Sequence, residues 1–522
     1  MIRGLFCGIS EYRANQKLPY CVNDAKKMKE TFESVFLCSK DSINILAMNG
    51  EIENSKYTRE LQKFSKSCTE EDIAIVYYSG HGGVDEAGAN YLYATNTYEG
   101  NSTTYIYFDI MIERLKESKA KSKLIIIDAC HADSNYGTEQ QKFDIDQALE
   151  IVYKSGITAI FSCRNDQESY PYNSGEISAF TQFLCDAINY KKSYQPEGLY
   201  LNDLKITIDA YARAWNLKNE SKQQQPVLRS NMIGTIVLPL KNPPVVSERK
   251  TMTARFETFD ALDIKCQVKK PRSLKDYQKV YRANIVAKVD ISDENIVAFA
   301  KDVIKELKSM NLQPKSKEAW LIKNKTVDVI QLWIAKDYMD VGSENNNFAY
   351  QVYWEVADDL YWCKKLGDKR IQLGNIAYRK NKNYEKEREN REKYILPDNM
   401  IIDFWTKNLK KLIVETENVI YMYSNFYVNK EMSYKDLRKK ANMTYCKLND
   451  TYKDIRDAWW PLPNSDLKVY ASYSNDLAVD IQELLFLFNS SKGEEWVINN
   501  FNLRLEKYYR SVEKWKNMTK TL

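Results

Sequence analysis

"VYYSGHGG", residues 76–83, ends an apolar run on a histidine held among glycines, in a chain of 522 residues with only two histidines. Further on, "KLIIIDACHAD", residues 123–133, repeats the construction: an apolar run, an acidic residue, Cys130, then the other histidine, His131. Continuously apolar, β-branched and aromatic runs are what strands buried on both faces of a parallel sheet look like. In such sheets, ligands and reactive groups gather at the carboxyl ends of the strands. Two neighbouring parallel strands would bring His81 and Cys130 together. Each is expected just past a strand end, His81 on a glycine-rich turn.

The pattern extends outward from these two runs. Apolar runs at 4–9, 44–48, 72–78, 123–127 and 157–162 alternate with helical patterns at 22–36, 56–67, 107–118, 178–189 and 201–215. Strand–helix alternation predicts a mainly parallel sheet covered by helices on both faces. Glycine and tryptophan then divide the chain: 13 of 17 glycines precede residue 240, and nine of ten tryptophans follow residue 250. The seam is "LPLKNPPVVSERKTMT", residues 238–253, whose Pro243-Pro244 pair continues neither a helix nor a central strand. This predicts a first domain over 1–240, a linker over 241–253 and a second domain over 254–522. In the second, "VDVIQLWIAKDYMD" (327–340) and "NFAYQVYWEV" (347–356) read as paired strands. Segments 292–310, 400–418, 431–459, 476–490 and 494–516 read as helices, and the Lys/Glu-rich run 379–394 as a solvated helix or loop. The expected fold class is α/β for the first domain and α-rich α+β for the second.

Composition bounds the function. Hydrophobic residues at 44% and aromatics at 12% exclude a disordered chain. With 76 basic and 71 acidic residues the net charge is +5, so no dominant field for nucleic acid or a membrane surface is implied. Ten cysteines occur singly, without a Cys-x-x-Cys pair, which points to a reducing compartment and away from zinc. "MIRGLFCGISEYR" reads as a first strand rather than a signal peptide, and no apolar stretch is long enough for a membrane helix. The expected location is the cytoplasm.

The chemistry rests on cysteine and histidine. Cysteine attacks a carbonyl as thiolate and needs a base nearby, a role histidine fills near neutral pH. The tetrahedral oxyanion needs backbone N–H donors. Gly82 and Cys130 would supply them, glycine letting the backbone approach the substrate. His131 is the competing base, but a residue adjacent to Cys130 on an extended backbone points elsewhere.

With these motifs the chain resembles the caspase-like cysteine peptidases, metacaspases and their bacterial relatives more than animal caspases. "YYSGHGG" and "DACHAD" stand where that family has its His and Cys stretches. "LPYCVNDAKKMKETF" (18–32) resembles a metacaspase stretch, "AIFSCRNDQESY" (159–170) and "ISAFTQFLCDAI" (177–188) the closing strand and helix, and "QQQPVLRSNMIGTIVL" (223–238) the usual end. The resemblance covers about 1–240 and implies a caspase-like, mainly parallel sheet. It also implies an S1 pocket for a basic P1 side chain, built from Cys21, Asp24, Ser79 and Asp128. The bland alternatives are a helix N-cap for Asp24 and a strand-end carboxylate with backbone partners for Asp128. The implied activity is cleavage after Arg or Lys. Ala132-Asp133 departs from the family pattern after "CH". Loop "VDEAG" (84–88) is too sparse for the calcium site of some metacaspases, and no metal or other cofactor is expected.

The second domain has three readings: a ligand sensor that opens the active site, a docking or oligomerisation module, or a domain whose aromatics are only core. Clusters such as "YQVYWEV", "DDLYWCKK" and "DAWWPLP" suit stacking on a planar ligand. By resemblance of layout, bacterial caspase-like immune effectors released by a nucleotide messenger in anti-phage defence are a model. The expected partners are peptides with P1 Arg or Lys and a nucleotide-type activator. The other functional readings are an inactive caspase-fold scaffold and a peptidase of different P1 preference.

Overall fold

The computed structural model describes residues 1–131, 142–173, 175–195, 197–230, 236–244, 254–255, 258–270, 276–314, 317–322, 324–337, 340, 347–356, 360–456, 459–462 and 465–522. At Cys130 and His131 it describes the backbone only. The Ala132-Asp133 departure and most of the expected linker, 245–253, lie outside the described residues.

The first sheet contains β1 (Ile2–Gly8), β2 (Cys38–Leu46), β3 (Ile73–Val84), β4 (Asn90–Tyr93), β5 (Tyr105–Tyr107), β6 (Ser122–His131), β7 (Thr158–Phe161) and β9 (Val227–Arg229). Its order is β2-β1-β3-β6-β7-β9, with β4 and β5 continuing from the far end of β3. β1, β2, β3, β6 and β7 run parallel, and β9 closes one edge antiparallel. A short ladder of β8 (Leu199–Tyr200) and β10 (Val237–Leu238) lies apart. This is the expected mainly parallel sheet.

Both faces are covered, which is why the central strands have no polar side. Ile75, Tyr77, Leu124 and Ile126 pack against Phe32 of α1 (Cys21–Val35), Phe183 of α5 (Ala179–Asn189) and Leu204 of α6 (Leu201–Asn216). Val76, Tyr78, Ile125 and Ile127 turn the other way, toward Leu61 of α2 (Asn54–Ser67), Ile112 of α3 (Phe108–Lys116) and Val152 of α4 (Ile145–Ser155). Burying each such side chain stabilises the fold by roughly 1.5–3 kcal/mol. Local signals agree: Asp144 and Ser178 cap α4 and α5 by accepting from Gln147 and Thr181 backbone N–H groups at 3.0 Å, and α4 stops at Gly156 with φ 69°.

One expectation is corrected. "SGHGG" is not a turn: β3 runs through it to Val84, because β4 folds back antiparallel and pairs Gly82 with Leu92 and Gly83 with Tyr91. The glycines make room rather than a bend. A Cβ on Gly80 would lie 2.5 Å from the Tyr78 hydroxyl and 2.7 Å from that of Tyr12.

Beyond residue 250 the structure holds more sheet than the sequence suggests. β11 (Ala254–Arg255), β12 (Phe259–Lys269), β13 (Gln278–Ala287), β14 (Val329–Ala335), β15 (Tyr350–Glu355), β16 (Ile371–Leu373) and β17 (Ile376–Lys380) form one mixed sheet, order β11-β12-β13-β14-β15-β17-β16. β14 and β15 are the expected antiparallel pair. α7 (Ile296–Ser309) covers one face with Phe299, Val303 and Leu307. The short α8 (Tyr361–Lys364) lies on part of the other face, and the Lys/Glu-rich run contains α9 (Tyr384–Glu392).

A second core belongs to the long helices α10 (Asp398–Tyr427), α11 (Tyr434–Lys447), α12 (Asn449–Arg456), α13 (Leu467–Phe486) and α14 (Glu494–Thr521), joined through Trp405, Leu412, Ile481 and Phe501. The remaining short strands, β18 (Ile395–Leu396) and β19 (Trp460–Pro461), pair with each other. Together they meet the first sheet's layer along α6, where Ile206 and Ala210 pack with Ile395 and Leu462 and the Arg213 guanidinium donates to the Ile395 carbonyl. Lys192 adds an ion pair to Asp466 at 2.6 Å. No helix of the described residues is long and apolar enough to cross a membrane.

Candidate active site

The parallel register of β3 and β6 sets Ser79 beside Asp128, His81 beside Cys130 and Gly82 beside His131. Adjacent strands lie about 4.8 Å apart, so the two residues singled out by the sequence are lateral neighbours at the carboxyl ends of central strands.

His81 is fully buried and fixed from several sides. Its Nε2 lies 2.8 Å from the Gln16 carbonyl oxygen. A carbonyl only accepts, so in the neutral ring Nε2 carries the hydrogen and Nδ1 the lone pair. The Tyr12 ring packs on the imidazole with centroids 4.6 Å apart. The His81 backbone N–H donates to the Tyr12 hydroxyl at 3.0 Å, and the Tyr78 hydroxyl donates to the His81 carbonyl at 2.9 Å. An imidazole oriented in this way can take a proton at Nδ1.

Beside it lies a buried pair of carboxylates. Asp24 and Asp128 are 0% and 1% exposed. Asp24 Oδ2 accepts from the Ser79 hydroxyl at 2.7 Å and Oδ1 from the Ser178 backbone N–H at 2.8 Å. Asp128 Oδ1 accepts from the Ser169 hydroxyl at 2.6 Å, and its Oδ2 from the Ser178 hydroxyl. The N-cap alternative for Asp24 is overturned, since Tyr20 occupies that position and the Asp24 carboxylate faces the strand ends. Asp128 is held mainly by side-chain hydroxyls. Burial, and then the charge of Asp128, push Asp24 well above the ordinary carboxylate range; burial raises Asp128 as well. Two carboxylates in one dry space retain a proton unless a cation joins them. The pair can therefore bind a guanidinium or ammonium group in place of that proton.

Cys21 opens α1 and is fully buried in the core. A Cβ on Gly8 would lie 1.8 Å from the Cys21 carbonyl oxygen, so glycine there lets the start of α1 rest on the end of β1. Sequence reasoning missed Tyr12 and Gln16, which hold His81, and Ser169 and Ser178, which hold the carboxylates. Only Ser178 left a signal, as a serine opening the helical pattern at 178–189, where it caps α5.

Among the described residues no group of His, Cys, Asp or Glu is arranged to hold a metal ion. In the "VDEAG" loop, Asp85 Oδ1 accepts from the Ala87 and Ala89 backbone at 3.0 and 2.8 Å, and Oδ2 from the Tyr107 hydroxyl at 2.9 Å. That carboxylate closes the β3–β4 hairpin.

Residues 3–236 match the model of the caspase domain, so this part of the chain carries a caspase-like domain. Solved structures that it resembles include a protein from Geobacter sulfurreducens, at 16% identity and TM-score 0.31 over 44% of this chain and 93% of that one. Another is caspase-1 from Spodoptera frugiperda, at 14% identity and TM-score 0.32 over 47% of this chain and 92% of that one. No curated protein matches the chain.

Proposed function

We propose that the chain is a cysteine endopeptidase that cleaves after arginine or lysine. The observation that carries this reading is the buried Asp24–Asp128 pair, with Asp128 two residues before Cys130 on β6 and Ser79, which donates to Asp24, two before His81 on β3. In this reading the Cys130 thiol gives its proton to His81 Nδ1, and the thiolate attacks the scissile carbonyl carbon. The backbone N–H groups of Gly82 and Cys130 receive the oxyanion. Imidazolium His81 then protonates the leaving amine as the C–N bond breaks. Water, deprotonated by the same ring, hydrolyses the thioester and frees Cys130.

P1 recognition falls to Asp24 and Asp128, with Ser79 orienting Asp24 and Cys21 shaping the adjoining wall. Arginine binds a carboxylate in a two-pronged fork. The Ser169 and Ser178 hydroxyls close off Asp128, and the Ser79 hydroxyl and the Ser178 N–H close off Asp24, so a P1 side chain needs these donors to move aside. We read this as a restrained state, released when the second domain senses a nucleotide-type ligand or a partner in the cytoplasm. An anti-phage immune effector controlled in this way fits the layout of peptidase followed by sensor.

Fluorogenic peptides ending in Arg, Lys or Asp test the proposal on the full chain, with Cys130→Ala as control. Cleavage after Arg and Lys that vanishes in the variant is expected. Cleavage after Asp, or activity retained without Cys130, overturns it.

A further inference from the structure

The second sheet's other face, covered by α8 only in part, carries exposed cations. Its ladder register sets Arg282, Gln331, Tyr353 and Ala377 in one row across β13, β14, β15 and β17, and Asn284, Trp333, Gln351 and Arg379 in the next. Paired residues share a face, and the opposite face is the one α7 covers. Arg282 and Arg379 are exposed, yet among the described residues neither has a carboxylate partner.

Both arginines are held in place by other means. The Arg282 guanidinium lies 4.0 Å from the Trp333 ring centroid. Arg379 Nη2 donates to Gln351 Oε1 at 2.6 Å. Tyr353 sits between them, tilted against Trp333 at 5.8 Å, and both guanidiniums act on its phenol. Lys265, opposite Arg282 in the ladder, adds a cation whose own pair is Asp263 at 3.0 Å. Arg282 and Arg379 start from strands three spacings apart, a lateral span of about 14 Å.

Pre-oriented guanidiniums flanking the half-buried Tyr353, one of them seated on the buried Trp333, select a ligand that is both anionic and planar. Phosphates satisfy the arginines in two-pronged contacts, and a base stacks on aromatic and guanidinium planes. We propose that this face binds nucleotides, with phosphates on Arg282 and Arg379 and a base against Tyr353. The free nucleotide and the single-stranded polymer share that chemistry. The site assigns the sensing role proposed above to one surface. It rests on that reading only for its effect on cleavage, because binding is measured directly.

Full-length protein carrying Cys130→Ala is titrated calorimetrically with ADP, adenylyl-adenosine, a ten-residue oligouridylate and inorganic phosphate. Binding of ADP or the dinucleotide, weakened about tenfold or more by Tyr353→Ala and by Arg282→Ala with Arg379→Ala, is the expected result. Tighter binding of the oligouridylate than of either small ligand also supports the site and makes the polymer its source. Phosphate binding as tightly as ADP overturns base recognition. No binding at millimolar ligand, or binding indifferent to the variants while their melting temperatures match the parent, overturns the site. Addition of the binding ligand to the Cys130 form, with cleavage read out, tests the peptidase reading separately.

Discussion

His81 stands opposite Cys130 in the parallel register of β3 and β6, with its Nε2–H directed to the carbonyl oxygen of Gln16. In the proposed mechanism, that hydrogen bond assigns the proton-accepting role to Nδ1. Under the proposed mechanism, Cys130→Ala should lower cleavage of an Arg substrate by about 10⁴-fold or more, with no shift in melting temperature. His81→Ala should match it in activity, because the two groups act as a unit. A His81→Ala variant that keeps most of the activity would transfer the base role to another group.

Gly80 offers a test of how the base is held. An added Cβ meets the hydroxyls of Tyr78 and Tyr12 at 2.5 and 2.7 Å, and these same hydroxyls hold the His81 backbone. Gly80→Ala should cost about 1–3 kcal/mol of stability by overpacking. It should also depress kcat more than KM, because it displaces the ring and leaves P1 binding intact. Denaturant melts and steady-state kinetics on one preparation read both effects, and a loss in KM alone would contradict the assignment.

The strands that decide the first domain were legible because both faces are covered. "IAIVYY" and "LIIID" have no polar side, so their identity as buried parallel strands follows from composition alone. The second sheet hid for the opposite reason. Lys265, Arg282 and Arg379 alternate with core residues on strands that face α7 on one side only, so β12 and β13 read as charged, irregular sequence. At the site, Asp24 and Asp128 were reached only through the family resemblance, from "CVND" and the acid before Cys130. Gln16 acts through its main-chain carbonyl, which no side-chain pattern reports. Ser169 belongs to a loop whose position is set by tertiary packing.

Asp128→Asn should separate recognition from stability. If Asp24 and Asp128 receive a P1 cation as proposed, losing one of the two carboxylates should cost about 100-fold in kcat/KM for Arg and Lys substrates. The resting protein should gain stability at neutral and alkaline pH, where burial and mutual repulsion oppose ionisation of the pair. The sign follows from the raised carboxyls. Their contribution is complete below the ordinary carboxylate range and is lost as pH rises through the elevated values. The melting-temperature difference between variant and parent should therefore widen from pH 4 to pH 8. For the parent, affinity for a P1-Arg peptide aldehyde should rise with pH, since binding expels the retained proton.

A second acidic pair lies at the contact between the two halves of the chain. Asp203 of α6 is 2% exposed and faces Asp337, which follows β14 and pairs with Arg388 of α9 at 3.2 Å. Burial and then Asp337 push Asp203 well above the ordinary range, with Arg388 partly offsetting them. By the same linkage, the contact is strongest below the ordinary carboxylate range and weakens as pH rises through the elevated value. Asp203→Asn removes the ionisation while keeping the shape. It should raise the melting temperature at pH 8 and leave it nearly unchanged at pH 4. If the second half restrains the peptidase through α6, the variant should also lower ligand-free cleavage at pH 8 relative to the parent. Stabilisation without any change in basal cleavage would place the restraint elsewhere than along α6.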